Sequence, residues 1–70
     1  MRYAVVIEKA GAGFSAYVPD LPGCVAAGPD VEHVERLIHE AIAFHLEGLK
    51  EDGFPVPQSV SRVEYMEVAA

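Results

Sequence analysis

The chain is poor in cysteine, in basic residues and in long apolar runs, and each shortage closes off a class of function. Its 70 residues include one cysteine, Cys24, so no internal disulfide can form. There is no CxxC pair, and His33, His39 and His45 have no thiol cluster to join, so no structural zinc is expected. Five Lys and Arg stand against eleven Asp and Glu, a net charge of −6. Nucleic-acid binding rests largely on cations that neutralise phosphates, and these five form no stripe or arm, so direct binding of DNA or RNA is not expected. An acidic protein meets a basic protein partner more readily. The amino end, MRYAVVIEKA, holds an apolar run of only four residues before Glu8. That is too short for a signal peptide or a membrane span. A cytoplasmic location is the expectation, and a free thiol suits a reducing compartment.

What is present describes a small folded unit. Hydrophobic residues make up 51% of the chain and charged residues 23%, a balance that supports a core. Residues 1–70 have room for one domain, and a domain this small hides only about 60% of its unfolded surface. Without disulfide or metal, self-association as a homodimer or higher homo-oligomer is the expected extra source of stability.

Residues 2–9 alternate and are β-branched, which favours a strand. AGAG at 10–13 is turn material, and FSAYV at 14–18 alternates again with Phe14, Ala16 and Val18 on one side, so the pair reads as a hairpin. Residues 24–28, CVAAG, form a short strand of small side chains. Asp30 then caps a helix whose apolar face is Val34, Leu37, Ile38, Ala41, Ile42, His45, Leu46 and Leu49. Gly53 and Pro55 stop it. Gly48 inside the helix is anomalous, pointing to a close backbone approach or to fraying. Beyond the stiff FPVPQS connector, VSRVEYMEV reads as a fourth strand, parallel to the first and beside it. The expected fold class is α+β: a two-layer β-β-β-α-β sandwich, strand order 3-2-1-4, with one helix on one face. Because strand one is apolar on both sides, the open face calls for cover by another chain.

No constellation carries catalysis, and no cofactor or metal site is expected. Asp20, between Pro19 and Leu21, is a turn residue before it is a base. Cys24 has no neighbouring base or cation to activate it, and His45 has no second ligand at i±4. Glu8, Asp20 and Glu40 are not spaced so as to converge on a metal. GAG at 11–13 precedes a strand, which excludes a phosphate loop. The helix is the more informative surface. Residues 30–52 hold seven acids and two bases, which suits an electrostatic platform for a basic partner.

Taken together, YAVVIEK, GFSAYVPDLPGC, the small-residue strand ending in Gly28, the amphipathic helix and the GFPVP exit resemble the HicB family of bacterial antitoxins, in its N-terminal domain. The resemblance covers nearly the whole chain. It implies a truncated ribonuclease-H-like α+β fold without nuclease chemistry. It also implies binding to HicA, a small basic RNA-cleaving toxin with a double-stranded-RNA-binding-like fold and a catalytic histidine. Family members usually add a C-terminal DNA-binding module. Nothing after SRVEYMEVAA leaves room for one, so promoter binding is not expected here. The expected function is therefore non-catalytic masking of a HicA-type toxin, with Asp20 and Leu21 at a loop tip and Glu40 and Glu47 on the helix as partner-binding residues. The alternatives are an orphan oligomeric interaction or regulatory module with an unrelated partner, and a small hydrolase built on Cys24 or His45.

Overall fold

The computed structural model describes all of residues 1–70. Three strands, β1 (Val6–Ala10), β2 (Gly13–Tyr17) and β3 (Val25–Gly28), form an antiparallel sheet in the order β1-β2-β3, and one helix, α1 (Val31–Glu51), packs on it. The β1–β2 hairpin turns at Gly11, whose φ of 58° lies in the left-handed region open to glycine. Its register sets Ile7 opposite Ala16, and Ala16 opposite Ala26 in β3. With a side-chain period of two, that row faces the helix, while Val6, Tyr17 and Val25 form a row on the other side. The first row meets α1. Ala16, Val18, Leu21, Cys24, Val34 and Ile38 are buried, with Tyr3, Val5, Ile7, Phe14, Ala26, Ala41, Ile42 and Leu46 packed around them.

Small residues let the layers close. A Cβ at Gly13 would collide with the carbonyl oxygen of Gly28, and one at Gly28 would press on His33 and Val34 at 3.1 and 3.2 Å. The layer that the bare face of β3 admits is therefore the first turn of the chain's own helix. At the start of α1, the Asp30 carboxylate accepts from the His33 amide at 2.8 Å. At its end, Gly53 is left-handed (φ 74°), its amide bonds Lys50 O at 3.1 Å, and the Phe54 amide bonds Leu49 O at 2.9 Å. These two bonds satisfy carbonyls the helix would otherwise leave open. Gly48 is neither a close approach nor a fray. The helix runs past it, and a Cβ there would meet nothing within 4 Å.

The fourth strand expected from VSRVEYMEV is absent. The sheet has three strands, and residues 54–70 make no β-ladder. Two local causes account for this. Pro55 and Pro57 remove donors from the approach to the sheet. Beyond them, neither side of the segment is consistently apolar: Val63 and Tyr65 share a side with Glu67, and Met66 and Val68 share theirs with Arg62 and Glu64. Without one clearly buried face, no register is specified.

Candidate partner-binding surface

The loop VPDLPGC is built from two successive turns. The Leu21 amide bonds Val18 O at 3.0 Å, the Cys24 amide bonds Leu21 O at 3.1 Å, and the Val18 amide bonds Cys24 O at 3.2 Å across the base. Pro19 and Pro22 each take the second turn position, where a φ near −65° is required and no amide donor is used. Gly23 takes the third position of the second turn with φ 84°. The double turn swings Leu21 inward until none of its surface is exposed. Leu21 is thus a core residue, and its expected place at an exposed tip is corrected: a large aliphatic side chain at a turn junction gains more from burial than from solvent.

Asp20 is likewise engaged. Its carboxylate accepts from the Val60 amide (3.0 Å), the Ser61 amide (2.9 Å) and the Ser61 hydroxyl (2.8 Å). The Ser61 amide, then the Ser61 hydroxyl and, less, the Val60 amide hold the Asp20 carboxyl below its ordinary range, against an opposing effect of desolvation. The Tyr3 hydroxyl donates to the Pro57 carbonyl. Asp20 is therefore a clasp for the carboxy-terminal segment rather than an open contact residue.

The catalytic candidates stay apart. Cys24 is buried, and burial pushes its thiol pKa up, away from the thiolate a nucleophile needs. Half-buried His45 lies in no cluster of three or more His, Cys, Asp and Glu side chains that could hold a metal, and neither do Glu8, Asp20 and Glu40.

What the fold does assemble is a surface. On the β3 side of α1, Val25, Ala26, Ala27, Leu37, Glu40, Ala41 and Phe44 line a shallow depression of about 410 Å³. Phe44 is 80% exposed and Val25 64%. Glu40 sits one turn before Phe44, and Glu47 follows three residues after it, so the exposed aromatic has a carboxylate on either side along the helix. An apolar centre with a charged rim is the usual anatomy of a protein-binding patch. Phe44 escapes the sequence reading because it falls off the helix's apolar stripe. A large aromatic on the polar side was itself the signal that could have found it.

This chain resembles known proteins in sequence and in structure. It is 39% identical over 66 residues to a 14.9 kDa protein from the rep-hol intergenic region of Haemophilus phage HP1, covering 94% of the chain and 50% of the phage protein. The chain thus spans half the length of that relative. It is 47% identical over 52 residues to a UPF0150 protein of Helicobacter pylori, covering 74% of the chain and 72% of the relative. Among solved structures it is similar to a chain of the HicA3 and HicB3 toxin-antitoxin complex, with TM-score 0.73 and 37% identity over 86% of this chain and 70% of that one. The family model of HicB-like antitoxins matches residues 3–69, and with that match the chain belongs to the HicB-like antitoxins of bacterial toxin-antitoxin systems.

Proposed function

We propose that this chain is the neutralising half of a toxin-antitoxin pair, binding a small basic HicA-type toxin and covering its RNA-binding surface without catalysing a reaction. The observation that carries the reading is the structural likeness to a chain of the solved toxin-antitoxin complex, at 37% identity. The surface adds physical support. Phe44 supplies an exposed apolar anchor, and Glu40 and Glu47 supply negative charge where a cationic protein would dock. Residues 1–70 act as one HicB-like domain in this proposal, and the work is done in the cytoplasm, where an RNA-cleaving toxin finds its substrate. No helix of the chain is long and apolar enough to cross a membrane.

The test is co-expression with a short, basic, histidine-containing reading frame encoded beside it. A co-purifying complex and relief of RNA cleavage are expected. Absence of both sinks the proposal. Within a complex, Phe44→Ala should weaken binding by about 10-fold or more, as an aromatic anchor does. Reversing Glu40 and Glu47 to Lys should slow association and flatten its salt dependence.

We also propose that the chain self-associates. Tyr17 and Val25, on the sheet face opposite the helix, are 42% and 64% exposed, and Val6 completes their row. A strictly monomeric mass at micromolar concentration would count against this.

A further inference from the structure

Two unsatisfied halves of a β-interaction lie in this one molecule. The first is the outer side of β1, an edge strand whose outward backbone groups have no ladder partner. Beside it runs an open groove of about 540 Å³ between β1 and α1, floored by Tyr3, Val5, Ile7, Ile38, Ile42 and Leu46. The second is the carboxy-terminal segment. Val63, Tyr65, Met66 and Val68 are 52%, 94%, 81% and 81% exposed.

Ser59 to Val63 run beside Arg2, Tyr3 and Ala4 of the same chain, and beyond Val63 the segment leaves the fold. Ser61 is pinned by its bonds to Asp20, and Arg62 bonds only to the exposed neighbour Glu64. The molecule measures 48 × 27 × 16 Å, with a radius of gyration of 13.8 Å. A compact chain of this length would have about 11 Å. The apolar end thus projects while the chain's own edge stays bare. Charge also matches the two halves. In a chain with only five bases, residues 2–10 hold Arg2 and Lys9 against Glu8, whereas residues 62–68 hold Glu64 and Glu67 against Arg62.

We propose that residues 62–68 of one copy add as a strand to the β1 edge of a second copy, reciprocally, giving a two-fold dimer by exchange of carboxy-terminal segments. In the register that sets Val63 and Tyr65 on the helix side of the sheet, both enter the groove against Ile38 and Ile42. Backbone bonds supply the pairing, and entry of these two side chains into the groove selects one register where the segment's own mixed pattern specifies none. One two-fold operation satisfies both edges and both segments, as a self-complementary interface requires. This inference rests on the reading that the chain self-associates, and it adds a contact at the β1 edge distinct from the Val6, Tyr17 and Val25 face.

The full-length chain provides the test. With Cys24 replaced by Ala, an affinity-tagged Lys9→Cys chain and an untagged Glu67→Cys chain are unfolded together, refolded and treated with a short bismaleimide. A covalent tagged–untagged dimer is expected. A chain carrying both cysteines that instead yields a monomer linked to itself, with no mixed dimer, overturns the exchange. Separately, Val63→Asp with Tyr65→Asp should raise the dimer dissociation constant about 100-fold or more, since each would bury a charge in the groove. Its circular dichroism should be unchanged, because both positions are exposed in the single chain. A dimer that survives this double substitution defeats the exchange but leaves self-association standing. A parent chain that is monomeric throughout defeats both.

Discussion

Two segments of this chain carry a closely spaced pair of prolines, and they end up in opposite states. In VPDLPGC the prolines stand three apart, each in the second position of a turn, with Gly23 supplying the left-handed residue and Leu21 sealed in the core. In FPVPQS they stand two apart, no glycine follows, and the chain forms no turn or ladder, tied down at Pro57 and just beyond it at Val60 and Ser61. Proline sets φ and deletes a donor in both places. Whether that builds a compact element depends on spacing and on an apolar residue to bury. Asp20 joins the two segments, one carboxylate in the tight loop holding the root of the loose one.

The contrast can be broken most forcefully at Leu21. Leu21→Ala should destabilise the fold by about 2–5 kcal/mol in urea unfolding, because a fully buried leucine leaves a cavity. Gly23→Ala comes next. Nothing crowds the site, but its φ of 84° strains any L side chain, at a cost of about 1–2 kcal/mol. Asp20→Ala should leave the loop folded and free the segment, seen as displaced amide resonances of Val60 and Ser61 at every pH. In the parent the same displacement should depend on pH. The folded-state pKa of Asp20 is lowered, so its contribution is present above the unfolded value and is lost as pH falls through the folded one, below the ordinary aspartate range. The smallest effect is expected at Arg62→Ala. The Arg62–Glu64 pair joins side chains 83% and 57% exposed, and its loss should shift stability by less than about 1 kcal/mol. A larger loss there would mean that the free segment is docked after all.

Much of the fold was legible because it rests on local chemistry. The β1–β2 hairpin, the Asp30 cap, the helical stripe from Val34 to Leu46 and the Gly53 stop each follow from neighbours a few residues apart, and each was found near its expected place, although β1 begins at Val6 rather than at Arg2. The site was less legible. Leu21 looked exposed because a loop between prolines gives no sign of which way its middle residue turns. Asp20 looked free because its partners lie about 40 residues away. Phe44 looked incidental until β3 and α1 together formed the depression it borders.

The sequence by itself determined an acidic α+β chain with three antiparallel strands and a long capped helix, because turns, caps and periodicity act over short separations. Only the tertiary structure decided that the prolines fold Leu21 inward, that Asp20 clasps Ser61, and that the last segment leaves β1 unpaired. Those outcomes depend on which distant groups pair most favourably, and no local propensity encodes that competition.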